Sequence, residues 1–493
     1  MSDIFRSTDM WFILIASVSL SYADSLHFPD NFTFGVSTAS YQIEGGWNAS
    51  DKGENIWDRM THEHPNWIAD RSNGDVACDS YNQWKTDIGM IKNLSVDFYR
   101  FSLSWSRLLP TGFSNYINPD GVRYYNSIIN ELLGNNIQPV VTLYHWDLPQ
   151  PIQNEGGWPN IVTANYFVDY ANTVFNLFGD RVKTWITFNE PFEVCQSGYG
   201  GGDKAPRISS SGISDYLCGK TLLIAHAKVY HLYGYYYRSK QKGHVGITTN
   251  TAWIEPKTNK LEDLEAAELV LKMTLGWWAN PIFSKTGDYP QEMKDRIANI
   301  SKSQNFFKSR LPNFHRDEIK MIQGTADFFG INHYSTLLAS YSPLPNNVTV
   351  SFDNDVHVKL EVDPTWRPTA ASFIYDVPWG FRKLLNWIKK EYGNPPVFVT
   401  ENGFGDLGQL NDVDRINYLK GYLDALVKAV RIDGCNVYSY CVWSLMDNME
   451  WAQGFTLKFG LYQVNFTDPK RKRVAKSSVE FYKNVIRTRM VPS

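Results

Sequence analysis

Residues 121–147 read GVRYYNSIINELLGNNIQPVVTLYHWD. The first part, 121–136, places apolar side chains at 122, 125, 128, 129, 132 and 133. Steps of three and four residues gather them on one face of a helix. The second part, IQPVVTLYHWD (137–147), is a short apolar run that ends in polar residues. It reads as a buried strand. A helix feeding a buried strand is the repeating unit of an α/β fold.

The unit recurs along the chain. Further runs are FTFGVST (32–38), VDFYRFSLSW (96–105), TWITFNE (184–190) and GHVGITTN (243–250), then ADFFGINHY (326–334), PVFVTENG (396–403) and NVYSYCVWS (436–444). Amphipathic helical patterns lie between most of them. Eight buried strands alternating with helices predict one closed (β/α)8 TIM barrel. The 493 residues exceed the usual barrel length, which is about 250. The surplus should sit in long βα loops, such as 191–220 and 335–376. Length alone suggests several domains. The eight runs nevertheless account for almost the whole chain, with no low-complexity linker, charge block or short repeat. The expected organisation is a leader over 1–23 and a single barrel domain over 24–493.

Composition narrows the function classes. Apolar residues make up 43% and charged residues 20%, which excludes a disordered, collagen-like or coiled-coil chain. The net charge of −3 comes from 48 basic and 51 acidic residues. It leaves no electrostatic footprint for nucleic acid or anionic lipid. Aromatic content is high, with 17 Trp, 28 Tyr and 28 Phe. So many flat rings suit a carbohydrate or another planar ligand, or simply a large core.

Residues 11–20, WFILIASVSL, form an apolar run too short to span a bilayer. It fits the apolar region of a signal peptide, with cleavage expected after Ala23 in Ser21-Tyr22-Ala23. Arg6 is the only basic residue before it, offset by Asp3 and Asp9. No other segment is apolar enough to span a membrane, so a secreted, extracellular chain is expected. Six N-x-S/T sequons, at Asn31, Asn48, Asn93, Asn299, Asn347 and Asn465, agree with that. The five cysteines leave at least one thiol unpaired within a chain. Cys435 and Cys441 lie six residues apart on one predicted strand, about 20 Å and too far to bond. Cys195 and Cys218 bracket a Gly-rich loop and are the better disulfide candidate. No Cys/His grouping has zinc spacing. Neither a metal nor a cofactor is expected.

In such barrels the chemistry lies at the C-terminal ends of the strands. Those ends carry Arg100, His145, Asn189-Glu190, Asn332-His333-Tyr334, Glu401-Asn402 and Trp443. Two of them offer a carboxylate in a tight setting, in FNEP (188–191) and TENG (400–403). On strands four and seven of a closed barrel these can face each other. Paired carboxylates across a pocket are the apparatus of glycoside hydrolysis.

From about Phe28 to about Ile486 the chain resembles the retaining β-glucosidases of glycoside hydrolase family 1, the insect-type and myrosinase-like members in particular. The resemblance rests on FTFGVSTASYQIEGG (32–46), YHWDLPQ (144–150), TFNEP (187–191), NHY (332–334), VTENG (399–403) and WSLMDNMEW (443–451), in that order. It implies Glu190 as general acid/base and Glu401 as nucleophile. A covalent glycosyl-enzyme and net retention would follow, with the carboxyls about 5–5.5 Å apart. Glu401 must be ionised to attack, and Arg100 is placed to keep it so. Glu190 must hold a proton near neutral pH.

The same resemblance implies that Gln42, His145, Asn189, Glu450 and Trp451 hydrogen-bond glucose hydroxyls, with Trp443 beneath the ring. By the same resemblance Trp146 would be a further glycone contact, Tyr334 the phenol that hydrogen-bonds the nucleophile and Asn332 part of the same wall. Gln42 with Glu450 would favour glucose, an arrangement that often tolerates galactose or fucose. Trp366 resembles the aglycone platform. Phe192, Glu193 and Gln196 follow the acid/base and are candidates for the same cleft. In GYGGGDKAPR (198–207), Arg207 stands where the family commonly has Gly. It is expected as a solvated surface residue.

The leading reading is a secreted enzyme that hydrolyses terminal β-D-glucosyl residues of small glucosides or short oligosaccharides. A small-molecule glycoside is then its partner. The competing reading is a thioglucosidase acting on anionic glucosinolates. Such plant specialists replace the acid/base Glu by Gln, and this chain keeps Glu190. An anionic aglycone would need a cation, for which Lys204, Arg207 and Arg367 are the candidates. A non-catalytic binding protein would lack one or both carboxylates.

Overall fold

The computed structural model describes residues 26–344 and 349–492. The expected leader and the sequon at Asn347 lie outside the described residues. Eight strands form the barrel: β1 (Thr33–Ser37), β2 (Phe98–Ser102), β3 (Gln138–Tyr144), β4 (Thr184–Asn189), β5 (His244–Asn250), β6 (Phe329–Asn332), β7 (Val397–Asn402) and β8 (Val437–Trp443). Each falls inside one of the eight apolar runs. All neighbours pair in parallel, and β1 closes the sheet by pairing with both β2 and β8.

The helix read at 121–136 runs Pro119–Gly134. Proline suits the first turn because its missing N–H would be unpaired there. The Asn118 side chain caps that turn by accepting from the Asp120 N–H. Tyr125, Ile128, Ile129 and Leu132 are buried as the spacing requires, together with Tyr124. Val122 and Leu133 sit at the edge of that face, half-buried.

The barrel interior is closed from below. Phe98, Val140, Ile186, Phe328, Phe398 and Cys441 form a small apolar cluster of their own. Side chains alternate along a strand, so the residue two places on returns to the interior one layer higher. Above Phe98 stands Arg100, above Val140 stands Thr142, and above Cys441 stands Trp443. The floor thus turns the upper barrel into a cup.

The two carboxylate-bearing strands break this alternation. Between Ile186 and Asn189, β4 holds one residue more than its partner β5. Between Val399 and Glu401, β7 holds one residue more than β6. Thr187 and Phe188 therefore both face the helices. Thr187 meets His226 and Phe188 packs on Phe167. In β7, Thr400 and Glu401 both face inward. Bulges re-aim side chains next to active sites, and here they aim the carboxylate ends.

The surplus length sits mainly in the expected loops. Segments 253–256, 336–340 and 359–361 pair into a small outer sheet. In the loop after β4, Cys195 and Cys218 form a disulfide with Cα atoms 5.5 Å apart. Cys78, Cys435 and Cys441 are free and buried. Among the described residues no helix is long and apolar enough to cross a membrane. The described sequon asparagines, Asn31, Asn48, Asn93, Asn299 and Asn465, are all exposed.

Candidate active site

A cavity of about 490 Å³ opens above the apolar floor, at the C-terminal ends of the strands. That volume suits a small ligand. Glu190 and Glu401 both line it.

Their settings differ. The Arg100 guanidinium donates to Glu401 Oε1 at 2.6 Å, and the Tyr334 hydroxyl donates to Oε2 at 2.8 Å. Arg100 is itself fixed by the Thr400 carbonyl at 2.9 Å and by Asn189 Oδ1 at 2.6 Å. Among the described residues Glu190 accepts a side-chain hydrogen bond only from a neutral donor, the Asn332 amide, at 2.7 Å on Oε1. Burial and the neighbouring Glu401 and Glu193 push the Glu190 carboxyl well above the usual carboxylate range, with Lys204 and Asn332 drawing it part of the way back. A continuous chain of polar contacts joins the two groups. It runs from Glu190 through Asn332, Asn189 and Arg100 to Glu401.

Backbone geometry at three places is unusual. Trp146, Glu190 and Trp451 have φ of 78°, 52° and 50°. A left-handed conformation costs a non-glycine residue about 1–3 kcal/mol and collects at functional sites. The Glu190 N–H is held in place by the Thr248 carbonyl at 2.8 Å. Gly403, just after Glu401, has its α-carbon against the Trp443 carbonyl, so any Cβ there would collide with it. This explains the glycine that closes TENG.

The far end of the cup is polar and aromatic. His145, Trp146, Trp443, Glu450 and Trp451 line it. His145 Nε2 lies 3.0 Å from the Asn189 amide nitrogen, so it acts as the acceptor and leaves the proton on Nδ1. Nδ1 is buried without a protein partner. Burial, with Arg100 and Lys204 nearby, pushes the imidazole well below its usual range, so it is neutral. Gln42 donates to the Met449 carbonyl at 2.9 Å and to Glu450 at 3.3 Å, while its own Oε1 is buried and unpartnered. Burial lifts Glu450 to about 7. An unsatisfied donor and an unsatisfied acceptor beside aromatic rings are what a ring bearing several hydroxyls would complete.

The cavity also takes in Asn250 and Thr251 at the end of β5, and Phe373 and Phe459 from loops. None of these is singled out by the sequence. Asn250 carries the same signal as the other strand ends, a polar residue closing an apolar run. Phe373 follows no strand and left no such mark.

Several expectations need correction. Trp366 does not line the cavity. It packs edge-on against Trp379, ring centres 6.0 Å apart, in the outer layer, and Phe373 is the loop aromatic at the cavity instead. Phe192 turns toward Trp277 and Phe352, because on a helical turn it points away from Glu190 and Glu193. Gln196 is also outside the lining, whereas Glu193 is part of it. His333 and Asn402 face the helices, as alternation next to the inward Asn332 and Glu401 requires. Arg207 is not free in solvent but half-buried, 4.4 Å above the Trp67 ring. Arg367 pairs with Asp414, also away from the cavity. Of the three candidate cations only Lys204 lines it.

The sequence profile of glycosyl hydrolase family 1 matches residues 24–491. The chain belongs to glycosyl hydrolase family 1. Myrosinase 1 of Brevicoryne brassicae is 48% identical to it over 463 residues, covering 94% of this chain and 98% of that protein. Human cytosolic β-glucosidase is 43% identical over 463 residues, covering 93% and 98%. The solved structure of an aphid myrosinase superposes with a TM-score of 0.90 at 47% identity, covering 94% of this chain and all of that one. This family 1 chain is a glycoside hydrolase with β-glycosidase activity.

Proposed function

We propose that the protein is a secreted, retaining β-glucosidase that cleaves terminal β-D-glucosyl residues from O-glucosides. The observation that carries this reading is the contrast between its two cavity carboxyls. Glu190 is buried beside a neutral amide and biased toward keeping its proton, whereas Glu401 is paired with Arg100 and Tyr334. An acid and a nucleophile need environments of these two kinds.

In the first step Glu401 attacks the anomeric carbon. Glu190 gives its proton to the glycosidic oxygen, the C–O bond breaks and the alcohol leaves. The sugar is then an ester of Glu401, whose negative charge is gone. That charge is one of the causes raising Glu190, so its loss lets Glu190 ionise. Glu190 next takes a proton from water, which attacks the same carbon and releases the β-sugar. Gln42, His145, Asn189, Glu450, Trp443 and Trp451 hold the sugar, the unpartnered Gln42 Oε1 and His145 Nδ1 accepting and donating to its hydroxyls.

A thioglucoside leaving group needs no proton, so the well-buried acid at Glu190 favours the oxygen-linked substrate over the sulfur-linked one. Secretion is supported by the apolar run at 11–20, by the disulfide, which suits an oxidising compartment, and by exposed sequons. Proton NMR of an aryl β-glucoside digest tests the reading: the β-anomer should appear first. Turnover of that glucoside should exceed turnover of a glucosinolate. An α-anomer first, or the opposite preference, would overturn it.

A further inference from the structure

Glu193 stands three residues after Glu190, on the helical turn that Glu190 opens. The turn is formed, since the Val194 N–H donates to the Glu190 carbonyl at 3.1 Å. Both carboxyls line the cavity. Glu193 Oε2 accepts from Lys204 Nζ at 2.7 Å and from the Ser197 hydroxyl at 2.9 Å, and Oε1 accepts from the Asn250 amide at 3.1 Å. Burial pushes this carboxyl up, but Lys204, Ser197 and Asn250 outweigh it and hold the group below the usual range. Glu193 is therefore a fixed negative charge. Lys204 also lies 4.0 Å from the centre of the Trp146 ring. Among the described residues it is the one lysine or arginine lining the cavity, against the carboxyls of Glu190, Glu193, Asp203, Glu401 and Glu450.

A glycosidic oxygen must come within hydrogen-bond reach of Glu190 to take its proton. The rest of the leaving group then lies along the next turn, beside Glu193. We propose that Glu193, by occupying Lys204, is a specificity-determining residue that admits neutral or cationic aglycones and rejects those carrying a carboxylate, sulfate or phosphate. An anionic aglycone faces two unfavourable arrangements. It can draw Lys204 away and leave the half-buried Glu193 carboxylate without its cation, or it can lie against Glu193 and Asp203 unpaired. Specificity of this kind comes from the repulsive element as much as the attractive one. The inference rests on the β-glucosidase reading, with Glu190 as the acid.

Two matched substrates test it, 4-(methoxycarbonyl)phenyl β-D-glucoside and 4-carboxyphenyl β-D-glucoside, compared as a ratio of kcat/KM. A substitution that merely weakened Glu190 as an acid would cost the carboxylate-bearing phenol, the poorer leaving group, more and so widen the ratio, opposite to the narrowing expected of Glu193→Gln. The wild type should prefer the ester. Glu193→Gln should narrow that preference by about tenfold or more, the scale on which a like charge acts in a desolvated contact. Lys204→Met should widen it, and it carries the test alone if Glu193→Gln fails to turn over the ester. A ratio unchanged by both substitutions, or a wild type that takes acid and ester equally, would overturn the proposal. A wild type inactive on the neutral ester would instead overturn the β-glucosidase reading.

Discussion

At the scale of the residue, the site is two carboxyls of the same chemical type in opposite surroundings. Glu190 has a neutral donor and acidic neighbours, whereas Glu401 has a guanidinium and a phenol. Glu190→Gln should lower kcat/KM for alkyl glucosides with poor leaving groups by about 10²–10⁴-fold, the usual worth of a general acid. For dinitrophenyl glucosides the first step should be largely spared. Equal losses on both, measured by steady-state kinetics, would argue against an acid role. Glu450 gives a second prediction. Burial raises its carboxyl from 4.5 to about 7 in the folded state. A raised carboxyl binds its proton more tightly when folded. Its contribution to stability is therefore complete below its unfolded value and is lost as the pH rises through its folded one. Glu450→Gln should then gain stability relative to the wild type between pH of about 4.5 and about 7.5, by at most about 3 kcal/mol. Urea unfolding of both proteins at the two pH values measures this, and a difference that shrinks with pH would contradict it.

At the scale of the element, the disulfide and the bulges shape the loop and the strands that carry the acid groups. The Cys195–Cys218 bond spans a separation of 23 residues just after Glu190. Replacing both cysteines by serine should cost about 2–4 kcal/mol, the range for a loop of this size, read by denaturant unfolding under non-reducing conditions. The strands themselves were legible, because eight apolar runs need burial on both faces and a barrel supplies it. The facing of single residues was only partly legible. Simple alternation predicts that Asn332 and Tyr334 share a face and that His333 does not, and the structure agrees. It cannot place Asn189 or Glu401, since the extra residues in β4 and β7 reset the count without any mark in the sequence. Trp366 failed for a related reason. A loop has no period from which to read a direction, and its aromatic turned outward onto Trp379.

At the scale of the molecule, the barrel brings together groups from almost the whole chain, and the C-terminal segment locks the assembly. Lys476 is fully buried, 2.8 Å from Asp447 and 3.4 Å from Asp406, and Asp406 also pairs with Arg415. These charges tie the loops after β7 and β8 to the helix Ser477–Thr488, whose Tyr482 hydroxyl donates to the Gly35 carbonyl in β1. Lys476→Met leaves two buried carboxylates short of a cation and should cost about 3–5 kcal/mol, seen as a lowered urea midpoint. A near-neutral result would mean the network is dispensable. In the proposed reaction Glu401 forms a covalent bond to the sugar while Glu190 moves the proton. The most direct measurement is mass spectrometry after brief exposure to 2,4-dinitrophenyl 2-deoxy-2-fluoro-β-D-glucoside, which slows release of the intermediate. One fluoroglucosyl group is expected on the peptide containing Glu401, formed also by the Glu190→Gln variant. Label on the Glu190 peptide, or an inactivated enzyme with none at Glu401, would contradict it.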